Sequence, residues 1–142
     1  MNYDPRSIAS KVYNNLQQLH DRTPSESDRK EQKTQAVEIY SYLSAWGLLR
    51  LKAEEFSLQN QPQKQKVIRC FFRTFAEIVS PDAPQQFQER EGLQNLANVN
   101  RLSASEYLGL TGVALQLGRE FAFWAEAVYP KDAPASTTPA RP

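Results

Sequence analysis

One cysteine, one histidine and five glycines in 142 residues leave little from which to build catalysis or metal binding. Cys70 alone can form neither an internal disulfide nor a cysteine zinc cluster, and a lone thiol suits a reducing compartment. His20 stands beside Asp21 near the end of the first helical pattern, where a cation complements the helix dipole. A single histidine at a helix end supports no Ser-His or Cys-His set. No Glu-x-x-His motif occurs, which argues against a di-iron bundle. Glu54 and Glu55 are adjacent, so a helix points them in different directions. A Gly-x-x-x-x-Gly-Lys phosphate loop is missing as well. The expectation is a protein that is not an enzyme and takes no metal or cofactor.

Long apolar runs are also lacking. "MNYDPRSIASKVYNNLQQLH" holds no segment of signal-peptide length, and no stretch reaches the roughly 18 apolar residues of a membrane helix. A cytoplasmic protein without membrane contact is expected. Charge of one sign is not in excess either: the formal net charge is +1. Any nucleic-acid role must come from where the charges sit, not from their sum.

Strict apolar–polar alternation is absent, and the apolar residues recur with helical period. The chain length fits one core, so residues 1–129 are expected to form a single all-α bundle of four main helices with a possible short fifth. The first begins at Asp4-Pro5 and carries Ile8, Val12, Leu16 and Leu19 on one face. "RTPSES" is a linker. The second starts at an acidic capping box, Asp28 to Glu31, and runs unbroken to Phe56. One of its stripes holds Val37, Tyr40, Leu43 and Gly47; the neighbouring stripe holds Ile39, Trp46, Leu49 and Ala53.

The third helix opens on Pro62 and buries Val67, Ile68, Phe71, Phe72, Phe75, Ile78 and Val79; "SPDAP" stops it. "QQFQERE" forms a short helix closed by Gly92, and Leu93, Leu96, Val99 and Leu102 follow at a spacing of three. The last helix starts at the capping box Ser103-x-x-Glu106 and carries Tyr107, Leu110, Ala114, Leu117 and Phe121 on one face. Gly109 and Gly112, three apart, suggest a place where another helix comes close. Residues 130–142, rich in Pro, Ala and Thr, are expected to be a disordered tail.

The third helix carries a charge pattern. Lys64, Lys66, Arg69 and Arg73 occur between Pro62 and Ala76 with no carboxylate among them, and Lys66, Arg69 and Arg73 fall opposite the phenylalanine face. Such a stripe can track a phosphate backbone without reading sequence. It can equally be a solvated helix face kept basic for solubility. Arg50 and Lys52, near the end of the second helix, and Arg101, just before the last, are further candidate phosphate contacts. Between Lys66 and Arg73, Cys70 is either a structural thiol or one whose pKa its cationic neighbours depress.

Two segments carry a resemblance. One is "YSYLSAWGLLRLKAEEF"; the other is Glu106-Tyr107, Leu110-Thr111, Ala114-Leu115, Phe121 and Trp124-Ala125, in the order EYxxLTxxALxLxxxFxxWA. Together they resemble the small helical subunit of type III CRISPR effector complexes, over roughly residues 30 to 129. The resemblance implies a non-catalytic role lining the channel where guide RNA pairs with target RNA. Its implied partners are other effector-complex subunits, neighbouring copies of itself, and the backbones of guide and target RNA. The final helix of that family usually has basic residues at its aromatic end; here Glu126 stands there and Arg119 is the nearest cation.

Two other readings stand beside it. A protein-only adaptor would use the surplus aromatics Tyr40, Tyr42, Trp46, Tyr107, Phe123, Trp124 and Tyr129, too many for one core of this size. A ligand-binding bundle would line a pocket with the aromatics of the last helix.

Overall fold

The computed structural model describes residues 5–129. They form a compact, all-helical structure: α1 (Pro5–Asp21), α2 (Glu26–Trp46), α3 (Leu48–Ser57), α4 (Pro62–Val79), α5 (Glu89–Ala97) and α6 (Ala104–Val128), with a 3₁₀ turn at Pro84–Phe87 before α5. The cap expected at Asp4 and the tail expected over residues 130–142 lie outside the described residues. No helix of the described chain is long and apolar enough to cross a membrane.

The core is built where the periodicity placed it. Val12 and Leu16 of α1, Ile39 and Leu43 of α2, and Phe71, Phe72 and Phe75 of α4 are buried with Leu117 and Phe121 of α6. Phe71 meets Phe121 edge-on with ring centroids 5.3 Å apart, and Phe75 meets Phe87 of the 3₁₀ turn at 5.8 Å. Edge-to-face aromatic pairs at such distances add specificity to the burial of their area. The long helix α6 lies mainly along α2 and also covers α1 and α4. Its start is the expected capping box: Ser103 Oγ accepts from Glu106 N, and Ser103 N donates to Glu106 Oε1.

Several expectations are corrected. The second helix is not continuous to Phe56, and the main helices therefore number more than four. Gly47 takes φ 91°, a backbone conformation that costs an L side chain energy and ends a right-handed helix. α2 stops at Trp46, α3 starts at Leu48, and Leu49 N donates to Tyr107 Oη at 2.9 Å. The Tyr107 hydroxyl thus supplies the acceptor that a glycine N-cap cannot offer. Trp46 is 57% exposed, and Val37 of the neighbouring stripe is exposed too.

The N-cap of α2 is Ser25, whose Oγ accepts from Asp28 N at 3.3 Å. Asp28 sits in the first turn, where its charge complements the dipole but does not cap.

Gly92 does not close a helix; it lies inside α5. A Cβ there would stand 2.5 Å from the Phe87 carbonyl and 2.8 Å from Lys52 Cε. The position is glycine because α5 presses on the 3₁₀ turn and on the lysine beneath it. A Cβ at Gly109 or Gly112 would meet nothing within 4 Å, whereas one at Gly118 would stand 3.2 Å from Tyr40 Cα. The close helix approach on α6 is therefore at Gly118, against α2.

Candidate nucleic-acid interface

Lys66, Arg69 and Arg73 do share one face of α4, and the fold sets them around a concavity instead of a flat stripe. Asn15, Leu19, Arg22 and Thr23 form one wall, Lys52 and Glu55 of α3 a second, and Gln88 and Glu89 the lip, around a cavity of about 400 Å³. Lys66 is exposed and has no side-chain partner among the described residues. Arg69 is half out of the protein and reaches Glu55 Oε2 at 3.5 Å. Arg73 is tied to α1: its Nη2 donates to Asn15 Oδ1 at 3.1 Å and to Gln18 Oε1 at 3.4 Å. Both acceptors are neutral, so the Arg73 charge has no carboxylate paired with it among the described residues, and its buried Nε has no partner. Glu77, one turn further on, instead accepts from Asn15 Nδ2 at 3.3 Å.

Arg22 joins this group from beyond the end of α1. Nothing in "HDRT" marked it, because its position depends on how α1 crosses α4.

Of the remaining expected cations only Lys52 also lines the cavity. Lys52 is corrected as an exposed contact: it is fully buried in the cavity wall, with its charge paired to Glu55. Its Nζ donates to Glu55 Oε1 at 2.8 Å and lies 4.5 Å from the centre of the Phe72 ring. Burial holds its pKa below the usual lysine value, opposed by the Glu55 hydrogen bond. Lys64 lines a separate groove with Glu38, Glu54 and Trp46. Arg50 stacks over Trp46 at 4.7 Å. Arg101 is exposed in the turn before α6, apart from the cavity lining.

The arrangement gathers positive charge around the cavity. Cys70 lines the cavity but is buried, and burial pushes its thiol up to about 12. The neighbouring Arg73 lowers it only in part, so the thiol is the inert kind. His20 pairs with Asp21 at 3.2 Å and meets Tyr129 edge-on at 5.0 Å. Among the described residues no group of three or more His, Cys, Asp or Glu could hold a metal ion.

The aromatics divide. Tyr129 is wholly buried and Tyr107 half-buried, which removes both from the expected surplus. Phe123 is 65% exposed and packs on Trp124, which also meets Tyr13 of α1. Tyr13 belongs to this patch but was hidden in the sequence, since it lies on the polar side of α1. Glu126, which stood where a cation was expected, pairs with Lys33 of α2 at 3.2 Å.

Comparisons of the chain with protein-family models, with curated proteins and with solved structures find no match.

Proposed function

We propose that this chain is a non-catalytic RNA-contacting subunit that holds phosphate groups at the concavity formed by α1 and α4. The observation that carries the reading is the placement of Arg22, Lys66, Arg69 and Arg73 around one depression in a chain of net charge +1. Positive charge concentrated on one surface of a near-neutral protein is an electrostatic footprint for a polyanion. Taken with the resemblance of α6 and α2–α3 to the small subunit of type III CRISPR effector complexes, the RNA would be guide and target strand within such a complex. Contact would be with phosphates, since no exposed aromatic ring stands among these cations to stack on a base.

The test is RNA binding across a salt series. Lys66→Glu and Arg22→Glu alter exposed, unpartnered side chains and so leave the fold intact. For a single strand, the slope of log K against log salt should flatten by about 0.7 for every phosphate that a variant no longer neutralises. Unchanged binding and slope in the double variant would remove this surface from consideration.

A protein-only adaptor is favoured by one observation, the exposure of Phe123 beside Trp124 and Tyr13. Phe123→Ser would then abolish co-purification with other subunits, while Lys66→Glu would have no effect.

A further inference from the structure

We infer that the cavity between α1, α3, α4 and the start of α5 is a binding site for a nucleoside monophosphate group. This rests on the assignment of Lys66, Arg69 and Arg73 to phosphate, and it adds a ligand class. Contact with a continuous backbone needs only a convex stripe of cations. What the fold provides is a concavity of about 400 Å³, within the range of small-ligand sites, which bury most of their occupant.

The lining has two characters. Arg22, Lys66, Arg69 and Arg73 supply cationic donors, and Leu19, Phe72 and Cys70 supply apolar surface. Two carboxylates face the same space, Glu55 and Glu89. Glu55 is already engaged by Lys52 and Arg69, at 2.8 Å and 3.5 Å. Of the lining carboxylates, Glu89 is left to offset Arg22, Lys66 and Arg73. Arg73 is held in place by two neutral oxygens, with its Nε buried and unpartnered. A guanidinium positioned in this way keeps its full charge for an incoming anion. Asn15, Thr23 and Gln88 add neutral polar groups of the kind that orient a ligand. The chemistry is that of a phosphate attached to a small, flat, partly apolar body.

Two sources present that chemistry: a free nucleotide, or the 5′-phosphorylated end of an RNA strand. The experiment compares AMP, inorganic phosphate, a 5′-phosphorylated decamer RNA and the same decamer with a 5′-hydroxyl, by titration of the full chain. The expected result is that the 5′-phosphorylated RNA binds about tenfold tighter than the 5′-hydroxyl RNA, as one or two charge-assisted hydrogen bonds provide. AMP should abolish that difference by competition, and inorganic phosphate should bind more weakly than AMP. If a free nucleotide is the occupant, AMP binds and the two RNAs do not differ.

Leu19→Trp fills the cavity without changing charge, and should erase both AMP binding and the 5′-phosphate preference while binding to 5′-hydroxyl RNA persists. Glu89→Lys, an exposed change at the lip, should raise AMP affinity several-fold, and serves if the tryptophan variant does not fold. The inference is overturned if AMP does not bind and the two RNAs bind alike, if inorganic phosphate binds as tightly as AMP, or if Glu89→Lys leaves AMP affinity unchanged. Binding to 5′-hydroxyl RNA with no AMP binding overturns this site alone; absence of all RNA binding overturns the phosphate-contact reading itself.

Discussion

The Tyr129 hydroxyl donates to Gln32 Oε1 at 2.8 Å, joining the end of α6 to the first turns of α2 across 97 positions of sequence. Gln32 is wholly buried, and its Nε2 donates to Thr23 Oγ1 at 2.9 Å and to Gln63 Oε1 at 2.7 Å. One amide therefore ties together the α1–α2 linker, α2, α4 and the residue that follows α6. A buried network of this kind rigidifies when every member is satisfied. Tyr129→Phe leaves the Gln32 carbonyl without its donor. The expected drop in stability is about 1–3 kcal/mol in urea unfolding, the penalty of an unpaired buried acceptor.

The glycines of α6 should part company under substitution. Gly109→Ala and Gly112→Ala face open space and should each stabilise by about 1 kcal/mol, the helix-propensity difference. Gly118→Ala gains the same propensity but puts a methyl 3.2 Å from Tyr40 Cα and 3.4 Å from Leu43 Cδ1. Backbone cannot move aside as a side-chain tip can, so a fall in melting temperature is expected. A rise equal to that of Gly112→Ala would show that α2 and α6 are less closely packed.

Lys52 and Glu55 should behave as a buried pair. Glu55→Ala leaves the lysine charge buried with no acceptor, at a cost of about 3 kcal/mol or more. Replacing both together, Lys52→Met with Glu55→Leu, should recover most of that deficit, because apolar side chains of similar volume carry no desolvation penalty. Chemical denaturation of the single and double variants measures both.

Cys70 should resist alkylation in the folded protein and react once unfolded. Its thiol, ordinarily near 9.0, is pushed up to about 12 by burial. The folded state therefore holds this proton where the unfolded chain has released it. Stability from this group is full below about pH 9 and falls as pH rises toward about 12. Cys70→Ala should show a flatter decline than the parent between those values, read from unfolding midpoints at each pH.

Glu106 shows the opposite sign. Hydrogen bonds from the Ser103 backbone and side chain hold its carboxyl below the usual 4.5. Its contribution is present above that value and disappears as pH falls through its lower folded value. Ser103→Ala should weaken the cap and reduce this acid-side slope.

Repeating apolar spacing was enough to place α1, α4 and α6 and their buried faces. Such elements are fixed by local patterning: Phe71, Phe72 and Phe75 must point one way on any α-helix, and Lys66, Arg69 and Arg73 the other. The Ser103 cap was legible for the same reason, since its partner is three residues away. Gly47 was not. A glycine inside an apolar pattern reads as part of the helix until the chain around it demands a positive φ, and that demand comes from packing α3 under Tyr107. Lys52 was misplaced in consequence, because the turn at Gly47 resets the rotation of everything after it.

By itself, then, the sequence determined an all-helical chain, the composition of its core faces and the basic side of α4. The tertiary structure decided that α3 is a separate helix, that Lys52 is sealed beneath α5, and that Gly118 and not Gly112 is the point of closest approach on α6. It alone brought Arg22 across to α4, and so turned a helix face into a cavity. Helical period is a property of neighbours along the chain. Concavity arises only where segments distant in sequence cross, and no local pattern records the angle at which they do.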